Sequence, residues 1–218
     1  MSARDSGGSE RPAGAAMRLL LASGNPGKLR EFRVLASAHA QPAVVELDLL
    51  PNFSRLPAFE ESAPTFAENA AGKALHYSRF TDLPVLADDS GLVVDALGGA
   101  PGVQSARYAG ANATDADRVL KLLDELRATG SPDRGARFVC VLALAIRGRI
   151  VAVFSDAAEG EIVDAPRGAG GFGYDPVFLV PELGKTFAEI SDDSKNLRSH
   201  RGKAFRKLLS WLAANPIR

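Results

Sequence analysis

A single cysteine is all that this 218-residue chain contains. Cys140 stands inside the apolar run 138–146, where it reads as a small buried hydrophobe with no disulfide to make, which suits a reducing cytoplasm. Net charge is lacking too, since 26 Lys and Arg balance 26 Asp and Glu. No global field gathers a polyanion, so nucleic acid is not the expected partner. No apolar stretch approaches the roughly 20 residues of a bilayer-spanning helix, and no membrane association is expected. An internal repeat is absent as well. Residues 1–16, rich in Ser, Gly, Ala and charge, read as a disordered extension rather than a signal peptide. What remains, 17–218, belongs to a chain that is 46% hydrophobic and is long enough to bury a core as one domain.

The apolar patterning describes an α/β protein. A short run, Leu19 to Ala22, precedes a helix with Leu29, Phe32 and Leu35 at helical spacing, and Val44 to Leu47 makes a second strand. The acidic, proline-containing segment Leu50 to Pro64 is expected to be a mobile loop. Thr65 and Glu68 form a capping box for a helix that places Asn69 and Lys73 one turn apart, so Glu68 is used in capping. Leu83 to Ala87 is a buried strand expected to end at Asp88 and Asp89, and Thr114 with Asp117 caps another helix. Phe138 to Ile146 and Ile150 to Ser155, split by Arg147-Gly148-Arg149, read as an antiparallel hairpin, which makes the sheet mixed. Val177 to Val180 is a short strand. Ser194 is expected to cap a final helix with Leu197 inward and Lys195, Arg198, Arg201, Lys203 and Arg206 on a basic face.

Four constellations carry chemistry. Ser23-Gly24-Asn25-Pro26-Gly27-Lys28 links a strand to a helix, where free backbone amides, the helix dipole and the Lys28 ammonium converge on an anion. Plain turn geometry explains the same residues. The loop lacks the glycine five residues before Gly27 and the hydroxyl after Lys28 of a P-loop, and it is no dinucleotide fingerprint. Asp88-Asp89-Ser90-Gly91 closes a buried strand; adjacent strand residues face opposite ways, so Asp89 is expected to face the cleft while Asp88 braces the loop. Hard oxygen ligands beside phosphates favour Mg²⁺, with Glu60 or Glu61 as the second carboxylate; an Asx-turn is the plainer explanation. Asp95 is expected to be structural. Gly168 to Pro176 carries enough glycine for close backbone approach, leaving Phe172 as a flat surface for a nucleobase or as a core residue under a flexible loop. Asp175 is ready to accept a hydrogen bond. His200 and Arg201 offer donors suited to a purine carrying a C6 carbonyl, and Lys195 either joins them or decorates the basic face.

Together these blocks, with Thr65-Phe-Ala-Glu-Asn-Ala-Ala-Gly-Lys-Ala74, Gly98-Gly-Ala-Pro-Gly-Val103 and Ser105-Ala-Arg-Tyr-Ala-Gly110, resemble the inosine triphosphate pyrophosphatase family from about Arg18 to Trp211. The resemblance implies an elongated, two-lobed α/β fold, a long mixed sheet flanked by helices with the active site in the cleft, and usually a homodimer. It implies Mg²⁺-dependent hydrolysis of ITP, dITP or XTP to the monophosphate and pyrophosphate. Carried over by position, Ser23, Gly24, Asn25, Pro26, Gly27 and Lys28 hold the triphosphate. Asp89 is catalytic and a metal ligand with Glu60, and Ser90 contacts substrate. Phe172, Gly173, Tyr174 and Asp175 hold the base, Lys195 contacts substrate, and His200 with Arg201 read the 6-keto group. Rival readings are a pyrophosphatase of modified pyrimidine nucleotides, a nucleotide sensor that does not hydrolyse, and a kinase-like transferase.

Overall fold

The computed structural model describes residues 17–37, 45–215 and 217; residues 1–16, Val44 and the rest of 38–44 lie outside them. Seven strands form one mixed sheet in the order β2-β1-β3-β4-β5-β6-β7. β1 (Met17–Leu21), β2 (Val45–Leu49) and β3 (Val85–Val94) are parallel. From β3 onward every pairing is antiparallel, through β4 (Gly135–Ile146), β5 (Arg149–Ile162), β6 (Phe178–Val180) and β7 (Lys185–Thr186).

The predicted hairpin is present and longer than expected. Its turn is Arg147-Gly148, both at positive φ (48° and 74°), the twist that a two-residue connection between antiparallel strands requires. The 12- and 14-residue strands it joins span the molecule. At one end the sheet is covered on both faces. One cover packs Phe32 of α1 (Pro26–Ser37) and Phe205, Leu208 and Leu212 of α5 (His200–Ala214) against Leu86, Cys140 and Leu142. The other packs Ala70, Ala74 and Tyr77 of α2 (Phe66–Tyr77) against Val85, Ala87 and Val141. At the far end α3 (Asp115–Ala128) and β6 build a third cluster around Leu92, Phe138 and Phe178. These are the two lobes, with the long hairpin running through both. Cys140 is fully buried, as its apolar run implied.

Three local expectations change. β3 does not stop at Asp88; it runs on to Val94, paired with β4 throughout. Gly91 permits this, because a Cβ there would fall on the Ser105 hydroxyl and the Gly102 carbonyl. The acidic segment is pinned to α2. Asn69 accepts from the Ala63 amide (3.0 Å) and donates to its carbonyl, Tyr77 accepts from the Phe59 amide, and Lys73 pairs with Glu61. Polar side chains on one helix face thus supply the partners that loop backbone needs.

The last helix is two helices. Ser191 caps α4 (Asp192–Arg198), and Ser199, in extended conformation, ends it and caps α5 by accepting from the Gly202 amide at 3.0 Å. The expected inward face holds along α5, where Ala204, Phe205, Leu208 and Leu212 are buried, but three positions around the break are reversed. Leu197 is 65% exposed, while Lys195 and Arg201 are buried.

Candidate functional site

β1 ends at Leu21, yet β3 continues, so past Leu86 its β1-side edge has lost its partner strand. Further on, Ser105 and Ala100 cover that edge at Leu92 and Val94. Between Ala87 and Gly91 a window remains in which no strand pairs with β3 on that side, among the described residues. It lies at the carboxyl end of parallel strands, where open α/β sheets form ligand crevices.

On the α5 face of this window a cavity of about 440 Å³ is lined by Asn25, Gly27, Lys28, Ser90, Phe172, Gly173, Tyr174, Asp175, Lys195, His200 and Arg201, with Phe138 at its wall and Asp115 and Arg118 of α3 at its side. Most of the predicted site residues therefore meet in one place. Phe172 is 43% exposed, against the flexible-loop reading that buried it in the core. The Lys195 ammonium lies 4.7 Å from its ring centre and the Arg201 guanidinium 5.7 Å. Asp175 accepts from Lys195 (2.6 Å) and from the Phe172 amide (2.8 Å), fixing both. Asp175 and Lys195 thus shape the loop under the ring, and Tyr174 anchors it by donating to the Ser105 carbonyl.

The loop 23–28 differs from a bare anion nest. The amides of Gly27 and Lys28 donate to the Asn25 side chain, and the Asn25 amide donates to Ser23. Asn25 caps the helix as predicted, and by doing so takes the donors an anion was expected to find free. Lys28 turns inward to Asp88 at 2.7 Å.

The two aspartates face opposite ways, as expected, with neither lining this cavity. Asp88, fully buried, faces Lys28 and Arg201 on the cavity side. Burial opposes its charge, but Lys28, Arg201 and Lys73 hold its carboxyl far below the usual range. Asp89 lies on the opposite, α2 face and does not line the cavity. Burial pushes it up to about 6, with Glu61 and Asp88 repelling it and the Asn69 amide and Lys28 opposing the rise. Its Oδ2 is buried without a partner. Glu61 is the acidic-loop residue coupled to Asp89, and its backbone carbonyl is held by Arg107. Glu60, expected as the partner, is exposed. Alternation along an irregular loop gives no face, which is why the sequence left the pair undecided. Asp95 pairs with Arg137 at 2.9 Å, a structural role.

Arg201 is 3% exposed and donates to Glu31 (2.6 Å) and Ser90 (3.0 Å), leaving its Nε without a partner. His200 stacks on Phe138, rings 4.8 Å apart and 12° from parallel, with Nδ1 unpartnered. Sequence reasoning missed Glu31, Asp115 and Arg118. Glu31 sits one turn after the Lys28 segment on α1, a spacing that could have revealed it.

The Ham1 family profile matches residues 19–211. The chain belongs to the Ham1 family. Among similar proteins, a dITP/XTP pyrophosphatase of Geobacillus kaustophilus is 52% identical over 190 residues, 87% of this chain and 91% of that protein. One from Thermus thermophilus is 50% identical over 201 residues, 92% and 94% of the two chains. A solved Ham1 protein from Coxiella burnetii superposes with a TM-score of 0.81 at 44% identity, covering 91% of this chain and 99% of that one. The expected mixed-sheet fold is the Ham1 fold.

Within this Ham1 site His200 is neutral, because burial and the Arg201 and Lys195 charges push its pKa well below 6.5. The unfolded imidazole takes its proton near pH 6.5, so below that pH the unfolded state binds more protons and stability falls by up to about 1.4 kcal/mol per unit. His200→Phe keeps the stack and removes the titration. We expect its melting temperature to fall less than the wild type's between about pH 7 and about pH 5.5; equal declines in thermal scans would contradict a neutral His200.

Proposed function

We propose that this chain hydrolyses ITP, dITP and XTP between the α and β phosphates, giving the nucleoside monophosphate and pyrophosphate. The observation that carries the reading is the window in β3. A purine placed in the cavity against Phe172 has its phosphates directed past Lys28, across the open edge, toward Asp89 on the other face. The relatives named dITP/XTP pyrophosphatase support dITP and XTP among these substrates.

Base recognition follows from protonation. A neutral imidazole with an unpartnered nitrogen and a guanidinium with a free Nε supply directed hydrogen-bonding groups beside the ring. A 6-keto purine offers acceptors at O6 and N7, whereas a 6-amino purine turns a donor toward the arginine. Unpaired groups on both sides make that mismatch costly.

The acidic residues fit a divalent cation, which we assign as Mg²⁺. The buried, partnerless Asp89 oxygen and the coupled Glu61 are hard donors. No set of three or more acidic, His or Cys side chains gathers for a metal among the described residues; Mg²⁺ keeps waters and takes phosphate oxygens, and so needs few protein ligands. Asp89 and Glu61, not Glu60, would hold it, and when bound it neutralises phosphate charge. Asp89, whose Oδ2 has no protein partner, is the group that would accept the proton of the attacking water. Lys28 and Lys73 place positive charge where pyrophosphate leaves. The dipole at the start of α1 favours the phosphate chain, while the amides of Ser23, Asn25, Gly27 and Lys28 are engaged within the loop, so Lys28 is the group of that loop that meets the phosphates, and Ser90 is held beside them by Arg201. A homodimer and a cytoplasmic setting belong to the same proposal. No helix among the described residues is long and apolar enough to cross a membrane.

Incubating the protein with ITP, dITP, XTP, GTP and ATP and resolving the products tests the reading. Monophosphate and pyrophosphate from the first three are expected; diphosphate and inorganic phosphate, or no turnover, would overturn it. His200→Phe should lower the preference for ITP over ATP by about tenfold, the worth of one buried hydrogen bond. An equal loss of rate on every substrate would remove His200 from base reading.

A further inference from the structure

Phe172 is bracketed by Gly171 and Gly173, both at positive φ (72° and 63°). A Cβ at Gly173 would meet nothing within 4 Å, so no steric contact at Gly173 itself fixes the peptide that follows the ring, whose carbonyl accepts from the Asp175 amide at 3.3 Å. Two carboxylates hold the amides on either side of the ring. The Phe172 amide donates to Asp175 within the loop at 2.8 Å, and the Gly173 amide donates to Asp115, 58 residues earlier in the chain, at 2.7 Å.

Asp115 is the first residue of α3, and the second oxygen of its carboxylate is equally committed. It pairs with Arg118, whose guanidinium also donates to the carbonyls of Ala106 (3.0 Å) and Ala113 (2.7 Å). Arg118 therefore locks the Asp115 rotamer against the backbone of the preceding turn. The α3 capping box of Thr114 and Asp117 fixes where that turn begins. Asp115 and Arg118 both line the cavity, and both Asp115 oxygens are engaged, one by Arg118 and one by the Gly173 amide. Their geometry is that of a strut reaching from α3 across to the Phe172 loop.

We propose that Asp115 is a positioning residue for the nucleobase wall, holding the Gly173 peptide so that the Phe172 ring is oriented before substrate arrives. The inference rests on the reading above that Phe172 stacks on the base. A ring held in advance costs no ordering when the base binds, whereas a loop hinged at two left-handed glycines must be ordered at that moment. The consequence belongs to binding and not to the chemical step, since the Asp115 carboxylate is engaged by the Gly173 amide and Arg118 and not by the Asp89 cluster.

Steady-state hydrolysis of ITP by Asp115→Ala, Asp115→Asn, Phe172→Ala and the Asp115→Ala/Phe172→Ala double variant tests this. Asp115→Ala should raise KM about tenfold, the value of one charge-assisted hydrogen bond, with kcat within about twofold. Asp115→Asn, whose carbonyl oxygen still accepts from the Gly173 amide, should recover most of the loss. In the Phe172→Ala background the Asp115 substitution should add little, because the ring it positions is gone. An unchanged KM in Asp115→Ala, a loss confined to kcat, no rescue by Asn, or a full additive effect without Phe172 would each overturn the assignment. If Phe172→Ala itself leaves KM unchanged, the stacking reading fails first and this inference with it. If Phe172→Ala raises KM and Asp115→Ala does not, only the inference fails.

Discussion

Asp89→Asn is expected to cut pyrophosphate release from ITP by about 10²- to 10⁴-fold, the range a positioned general base contributes, while leaving the protein at least as stable as wild type. The two halves of that expectation have separate causes. Asp89 Oδ1 accepts from the Ser90 amide at 3.0 Å, a bond that an asparagine oxygen can keep. Its other oxygen has no partner to lose. Meanwhile burial, Glu61 and Asp88 all disfavour the charge, so replacing a carboxylate by a neutral amide removes a penalty. The sign with pH follows. A carboxyl whose folded pKa is raised from 3.8 to about 6 stabilises the fold most below the unfolded value and loses that contribution as pH rises through about 6. The stability advantage of the variant should therefore grow across that interval in thermal unfolding. Retention of most activity would remove Asp89 from the chemistry, and a fall in melting temperature near neutral pH would show that the charge is accommodated rather than opposed.

Which parts of this site could be read in the sequence depended on how local their causes are. Asn25 as a cap, the Thr65–Glu68 and Thr114–Asp117 caps, and the Arg147-Gly148 turn are decided by residues within four positions of one another, and the structure contains them. Alternation along β3 correctly placed Asp88 and Asp89 on opposite faces. It could not say which face was which, because that is fixed by where α1, α2 and α5 dock. In the final helix the inward face of Ala204, Phe205, Leu208 and Leu212 was legible, but the break was not, for a related reason. Its apolar spacing is continuous, and the break at Ser199 is held by the Gly202 amide together with the burial of Lys195 and Arg201 against Asp175, Glu31 and Asp88, partners 20 to 170 residues away. Buried cations look like a solvated face until their counter-charges are known. The acidic loop shows the same limit: Asn69 and Lys73 were seen to share a face, but not that this face clamps Ala63 and Glu61.

Asp88→Ala should be the most destabilising carboxylate substitution in the chain, costing about 3–5 kcal/mol, which for a domain of this size is a fall of roughly 10 °C in melting temperature. The comparison that makes this decisive is Asp48→Ala. Asp48 also pairs with two cations, Arg18 at 3.2 Å and Arg33 at 2.9 Å, but its side chain is 43% exposed and theirs 53% and 54%, so water replaces what the substitution removes and the cost is about 0–1 kcal/mol. Around Asp88 water has no such access. The carboxylate is fully buried, Lys28 is mostly so, and Arg201 is 3% exposed. Among the described residues, removing it leaves Glu31 alone to balance the guanidinium and no carboxylate within 4 Å of the Lys28 ammonium. Equal melting temperatures for the two variants would mean that Lys28 relaxes outward to solvent. The expected result, a gap of several degrees, would mean that Asp88 holds the phosphate-facing lysine and the base-facing arginine on one buried charge. In that case Asp88→Ala should also weaken ITP binding from both ends of the nucleotide, although the residue lies behind the cavity lining.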